Sequence, residues 1–142
     1  MVKQVASLGD LKQELADAGE KLVVIDFYAT WCGPCKIIAP KLEEMSGEME
    51  NVVFLKVDVD ENEEAAQEYN ISAMPTFIFI KNQEKVADLM GANVDKLKEL
   101  VNQHAWTLEN LSSFLNEAFT RFLFAMGSQV WAIFNQMHYY TK

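Results

Sequence analysis

The sequence predicts an α/β fold in which a mixed five-stranded sheet is flanked by four helices, followed by a C-terminal helical extension. Strand-like apolar runs alternate with segments of helical periodicity, a pattern typical of right-handed βαβ units. Residues 22–28 form a near-continuous apolar run, as expected for a strand that is covered on both faces of a sheet. The composition then changes at about Ala105, which indicates a second segment of different construction.

The N-terminal half contains two strand and helix pairs. Residues 2–6 are a short β-prone run, and the leucines that follow recur at helical spacing up to Ala18. Residues 22–28 are the second strand, whose single acid is Asp26. A helix is predicted to follow this strand as far as about Gly47.

The remaining elements complete the predicted sheet. Residues 52–57 are the third strand, and an acidic stretch leads from it into a helix that reaches about Tyr69. Residues 76–80 and 86–90 are predicted to pair as an antiparallel hairpin. Asn93 then caps the last helix of this segment, because an asparagine side chain at that position accepts hydrogen bonds from the first turn.

Charge and composition exclude some classes of function. The chain has 142 residues and a formal net charge of -9, which argues against binding to nucleic acid, since phosphate backbones attract clustered lysine and arginine. The first residues show no basic region followed by an apolar run, so no secretory signal is predicted. A cytoplasmic, reducing location is the expected setting.

The two cysteines, Cys32 and Cys35, form a Cys-x-x-Cys motif directly after an apolar strand and at the start of a helix. Helix amide groups and the positive end of the helix dipole stabilise a thiolate there, so Cys32 is the candidate nucleophile. Cys35 is close enough to resolve a mixed disulfide. Half of a zinc site is the rival interpretation, but the remaining candidates, His104 and His138, do not form a second pair.

Three separated segments resemble the thioredoxin family, of the animal cytosolic type, and the resemblance spans residues 1 to about 103. The segments are Trp31-Cys32-Gly33-Pro34-Cys35-Lys36 after the strand 24–28, then Met74-Pro75-Thr76-Phe77, then Gly91-Ala92-Asn93. This resemblance implies a protein-disulfide reductase with a thioredoxin fold.

The resemblance also implies roles for individual residues. Asp26 matches the buried acid that assists proton transfer at Cys35, and Lys56 matches a lysine near that acid. Pro75 matches the family's cis-proline opposite the cysteine pair. The remaining positions match the apolar rim that contacts substrates and the reductase; they are Trp31, Gly33, Pro34, Met74, Gly91 and Ala92.

The same resemblance implies the partners. The expected substrates are proteins that contain disulfides. Reducing equivalents are expected from NADPH through a flavin-dependent thioredoxin reductase, and no cofactor is expected on this chain itself.

The sequence divides into a domain over residues 1–104 and an aromatic-rich extension over residues 105–142, which holds 9 of the 16 aromatic residues. Its apolar residues recur at helical spacing, and Gly127-Ser128 offers a break, so two helices are predicted at about 107–126 and 129–138. Association through residues 107–138 with a partner, a second copy or a membrane stays open, as does an appendage without function. The alternative function is a soluble carrier or binding module in which this extension is the functional element.

Overall fold

The computed structural model describes residues 1–106 and the single position Leu115. Residues Met1–Ala105 form one compact unit. Its elements, in chain order, are β1 (Lys3–Gln4), α1 (Leu8–Ala18), β2 (Leu22–Tyr28), α2 (Gly33–Glu48), β3 (Val52–Asp58), α3 (Glu63–Glu68), β4 (Thr76–Lys81), β5 (Glu84–Met90) and α4 (Val94–His104). The predicted fold, a mixed five-stranded sheet with four helices, is confirmed over these residues.

The sheet has the strand order β1-β3-β2-β4-β5, which places β2 at its centre. Strands β1 and β2 both run parallel to β3, whereas β4 runs antiparallel to β2 and to β5. Because β2 and β3 are parallel, both end at the same edge of the sheet. The loops after Tyr28 and Asp58 therefore leave the sheet side by side.

Alternation along the strands sends side chains to two separate cores. In β2, Leu22 and Val24 join the core formed with α2 and α4, whereas Val23, Ile25 and Phe27 join the core formed with α1 and α3. Successive residues of a strand point to opposite faces of the sheet. Asp26 therefore lies on the face that α2 and α4 cover.

The predicted cap of the last helix is confirmed at Asn93, and two further helices begin with side-chain caps. Ser7 caps α1 and Asn93 caps α4, each by accepting a hydrogen bond from a backbone N–H of the first turn. Asn62 caps the short helix α3 in the same way. These side chains satisfy donors that a helix cannot pair internally.

The hairpin between β4 and β5 is tighter than predicted. The strands run through Lys81 and Glu84, which leaves a turn of Asn82 and Gln83 with φ angles of 51° and 64°. Two central residues with positive φ match the twist of antiparallel strands, which extends the pairing to the turn itself. Strand β1 is shorter than predicted, and at its start the backbone N–H of Val2 donates to Glu43 of α2 at 3.0 Å.

The C-terminal end of α4 is fixed at the edge of the sheet opposite the Tyr28 end. Lys81 Nζ donates to the carbonyl of His104 at 2.8 Å, and Asn51 Nδ2 donates to the carbonyl of Ala105 at 3.1 Å. Asn51 precedes β3 and Lys81 ends the antiparallel β4, so both lie where β2 begins.

The predicted helices of the extension, 107–126 and 129–138, lie outside the described residues, apart from Leu115. Within the part of the chain that the structure describes, no helix combines the length and apolar character needed to cross a membrane.

Candidate active site

Cys32 and Cys35 are joined by a disulfide, and their Cα atoms lie 5.3 Å apart. Cys32 is the N-cap of α2, and its Sγ atom accepts a hydrogen bond from the backbone N–H of Cys35 at 3.2 Å. Pro34 fits the first turn of the helix, where its missing N–H leaves no internal hydrogen bond unmade. The sulfur of Cys32 therefore lies where backbone donors stabilise a thiolate.

Both cysteines are largely buried, with exposed fractions of 5% for Cys32 and 4% for Cys35. They form a small cluster with Ala29, and partly buried apolar side chains pack against it; these are Tyr28, Val59 and Met74. Gly33 and Pro34 are exposed beside the pair, and a Cβ atom added at Gly33 would meet no heavy atom within 4 Å. The surface next to Cys32 is thus open on the Gly33 side and closed on the Tyr28 side.

The segment that precedes β4 lies next to the start of α4. The Met74-Pro75 peptide bond is cis, and the carbonyl of Pro75 accepts a hydrogen bond from the backbone N–H of Gly91 at 2.8 Å. Gly91 has a φ of 88°, a conformation that only glycine adopts without strain. This requirement explains the glycine, because no atom would obstruct a Cβ there.

Trp31 is the most exposed aromatic residue beside the cysteines, with an exposed fraction of 67%. Its indole Nε1 donates to Oδ2 of Asp60 at 2.9 Å, so the ring is held against the loop that follows β3. The backbone N–H of Asp60 donates to Oδ1 of the buried Asp58 at 3.0 Å, and this hydrogen bond fixes the position of Asp60.

Asp26 is 5% exposed, and its Oδ1 atom has no hydrogen-bond partner among the described residues. Burial raises the pKa of Asp26 to about 7, and the positive charge of Lys56 opposes that shift. Lys56 is the in-register partner of Asp26 on β3, so the two side chains leave the same face of the sheet. A carboxyl group with a pKa near neutrality is suited to accept and return a proton.

A sequence model described as Thioredoxin matches residues 3–103. The chain belongs to the thioredoxin family.

Relatives of this thioredoxin domain are found across animals. Thioredoxin-T of Drosophila melanogaster is 56% identical over 106 residues, which cover 74% of this chain and 68% of that protein. Thioredoxin of Ovis aries is 50% identical over 103 residues, covering 72% of this chain and 98% of the relative. The X-ray structure of Fasciola hepatica thioredoxin matches with a TM-score of 0.72 at 47% identity, covering 72% of this chain and 99% of that one.

Family membership and the position of the Cys32–Cys35 disulfide establish the activity of the thioredoxin domain. The chain is a thiol-disulfide oxidoreductase that reduces disulfides in protein substrates by dithiol-disulfide exchange. The predicted function is confirmed, and the predicted thioredoxin fold is confirmed for the matched residues 3–103.

The structure brings together several of the predicted site residues of this thioredoxin. Met74 packs against the cysteine cluster, and the carbonyl of Pro75 accepts a hydrogen bond from Gly91. Asp26 pairs in register with Lys56. Ala92 instead packs against the larger core between the sheet and helices α2 and α4.

Sequence reasoning missed two neighbours of the thioredoxin cysteines. Tyr28 is the last residue of the apolar strand β2, so the sequence pattern classed it with the core residues. Its position four residues before Cys32 is the signal that could have placed it near the cysteines. Val59 interrupts the acidic stretch 58–64, and its backbone N–H donates to the carbonyl of Tyr28 at 2.9 Å. That bond extends the pairing of β2 and β3 beyond Asp58 and places Val59 beside the cysteines.

Proposed function

We propose that Cys32 is the attacking thiol of this disulfide reductase and that Cys35 is the resolving thiol. The Cys32 thiolate attacks one sulfur of a substrate disulfide, forms a mixed disulfide and releases the first substrate thiolate. Cys35 then loses its proton and attacks Cys32 Sγ, which releases the second substrate thiolate and leaves the Cys32–Cys35 disulfide. Two electrons pass from the cysteine pair to the substrate. The position of Cys32 Sγ as the acceptor at the start of α2 is the observation that supports this assignment.

Asp26 is the proposed proton acceptor for Cys35, acting through a water molecule. Its burial, its unpartnered Oδ1 atom and its raised pKa support this role, because a general base works best when its pKa lies near the working pH. Lys56 supports the ionised form of the carboxylate, since its positive charge lowers the pKa of Asp26.

Replacing Asp26 by asparagine is expected to slow the resolving step about 100-fold near neutral pH, a typical contribution of a positioned general base. The initial attack by Cys32 is expected to change little, because that step uses a thiolate already formed. Stopped-flow measurement with a fluorescent substrate that traps the mixed disulfide separates the two rates. Asp17→Asn is the matched control, since Asp17 is an exposed acid on α1. Unchanged resolution in Asp26→Asn would remove this carboxyl from the mechanism.

The residues around the open side of the cysteine pair are the proposed substrate-binding surface. Exposure of Trp31, Gly33 and Pro34 supports this assignment, as does the packing of Met74 against the cysteine cluster. The resemblance to the thioredoxin family assigns three further residues to this surface: Pro75, Gly91 and Ala92. The hydrogen bond between Pro75 and Gly91 supports the assignment of these two. An extended substrate segment is proposed to pair with the backbone at Met74.

The oxidised pair needs a reductant after each cycle. The proposed source is NADPH, acting through a flavin-dependent thioredoxin reductase, in the cytoplasm. The support is chemical, because a dithiol that reduces protein disulfides turns over only where a stronger reductant restores it. Incubation of the oxidised chain with reductase and NADPH tests this, with consumption of NADPH as the measurement.

Residues 105–142 are proposed to form a separate segment that mediates association with a membrane, a partner or a second copy. Its aromatic-rich composition supports this, since large apolar side chains are costly to leave in water. The test compares the full chain with a chain ending at Trp106, which keeps the carbonyls that Lys81 and Asn51 bind.

We expect equal rates of insulin disulfide reduction for the two chains, and a larger particle size or binding to lipid vesicles for the full chain only. Light scattering and vesicle sedimentation are the measurements. A full chain that stays monomeric and does not bind vesicles would contradict the proposed association through residues 105–142.

A further inference from the structure

The closed side of the cysteine pair contains a hydrogen bond that links two strands separated by a third. Tyr28 ends β2, and its Oη atom donates to Oε1 of Gln4 on β1 at 3.0 Å. Strand β3 lies between β1 and β2 in the sheet. The tyrosine side chain therefore reaches across β3 to find its partner.

The sheet register shows which groups lie below this link. Gln4 pairs with Lys56 on β3, and Lys56 pairs with Asp26 on β2. In-register neighbours point to the same face of a sheet, and Tyr28 shares that face with Asp26 because the two are separated by two positions. The path from Tyr28 to Gln4 thus passes over the face that carries Asp26 and Lys56.

The ring of Tyr28 also packs against the buried cluster of Ala29, Cys32 and Cys35. Its hydroxyl is engaged by Gln4, so the apolar ring is the part that packs against this cluster. Burial raises the pKa of Tyr28 above its ordinary value; the hydrogen bond to Gln4 opposes that rise, and the carboxyl groups of Asp58, Glu61 and Asp26 add to it. The hydroxyl consequently remains a donor to Gln4 at neutral pH.

We propose that Tyr28, held in place by its hydrogen bond to Gln4, is a positioning residue that keeps bulk water away from the cysteine pair and from the Asp26 carboxyl. This proposal rests on the proposed role of Asp26 in proton transfer. Its consequence is that the N-terminal strand β1 takes part in setting the proton affinity of the active site, although β1 contributes no group to the reaction.

The surroundings of Asp26 leave few other groups to set its proton affinity. Among residues 1–106, Lys56 is the charge that acts on the pKa of Asp26. Phe77, the in-register neighbour of Asp26 on β4, is uncharged, and the buried Asp58 shares the face of Lys56 on β3 and pairs in register with Tyr28. The buried side chains that the covering helices turn toward this face are apolar or sulfur-containing; they are Cys35, Ile38, Leu42, Met45, Leu97 and Val101. Loss of the Tyr28 cover therefore admits water without a compensating charge, and the ionised carboxylate gains hydration.

The test measures the titration of Asp26 in the oxidised full chain, where the disulfide removes both thiols from the titration. Carboxyl chemical shifts of ¹³C-labelled aspartate report the midpoint directly. We expect Tyr28→Ala to lower the midpoint by about 1 pH unit, since partial rehydration reverses part of the desolvation shift. Tyr28→Phe and Gln4→Ala are expected to lower it by a smaller and equal amount, and the double variant by no more than either single one.

Tyr69→Phe is the matched control, because Tyr69 is a partly buried tyrosine that packs against Phe27 in the other core. An unchanged Asp26 midpoint in Tyr28→Ala would show that Tyr28 does not shield the carboxyl. Unchanged midpoints in both Tyr28→Phe and Gln4→Ala would show that the hydrogen bond has no role in that shielding. An equal shift in Tyr69→Phe would also overturn the proposal. If Tyr28→Ala does not fold, the two milder variants decide the outcome. This titration needs no turnover, so its result is independent of whether Asp26→Asn slows resolution.

Discussion

Replacing Cys32 by serine is expected to reduce protein-disulfide reduction to the rate of the uncatalysed control. A serine hydroxyl does not form an anion near neutral pH and cannot make a disulfide with substrate, so no mixed disulfide forms. The turbidity assay of insulin reduction with dithiothreitol as the electron source measures the loss. Residual turnover in Cys32→Ser would show that Cys35 attacks substrate and would reverse the two roles.

Cys35→Ser is the matched variant, since it removes the second thiol of the same motif and leaves the first. It is expected to attack substrate once and to retain the mixed disulfide, because the resolving thiol is missing. Mass spectrometry of the variant after incubation with a disulfide peptide should show one adduct on Cys32. An unmodified Cys35→Ser protein would contradict the sequence of steps.

Asp26→Asn is also expected to change how stability depends on pH. Burial raises the pKa of Asp26 from 3.8 to about 7, so between these values the folded chain holds a proton that the unfolded chain releases. The contribution of this group to the free energy of unfolding is complete below about pH 4 and is lost as the pH rises to about 7. The difference of about three pKa units corresponds to at most about 4 kcal/mol.

Chemical unfolding of the oxidised chain tests this expectation. The asparagine variant and the parent are expected to be similar in stability at about pH 4, and the variant is expected to be more stable by about 2–4 kcal/mol at about pH 8. Other carboxyl groups titrate in both proteins, so the difference between the two curves isolates Asp26. A difference that does not grow with pH would show that the folded-state pKa of Asp26 is not raised.

The parts of the fold that follow from strong local patterns were predictable from the sequence. The bounds of β2 coincide with the prediction because residues 22–28, apart from Asp26, are apolar on both faces, as a central strand requires. The hairpin bounds were wrong because Lys81 and Glu84 are polar, and residues that flank a tight turn can be polar and still pair with each other.

The surroundings of the cysteine pair were less predictable. The motif itself indicates redox chemistry, but the contacts of Tyr28 with Gln4 and of Trp31 with Asp60 join residues 24 and 29 positions apart. Such contacts depend on the strand order, because β3 comes later in the chain than β1 and β2 but lies between them. Periodicity describes one element at a time and carries no information about that order.

The C-terminal end of α4 is fixed on the side of the domain opposite the cysteine pair, and this side is called the back of the domain. Gly91, just before α4, is bonded to Pro75 near the cysteines, and the helix then spans about 16 Å before its last carbonyls meet Lys81 and Asn51. A linker, label or solid support joined after Trp106 is therefore attached at the back. In a chain ending at Trp106, immobilisation at this point leaves Cys32 and Cys35 on the side of the domain away from the electrode or resin.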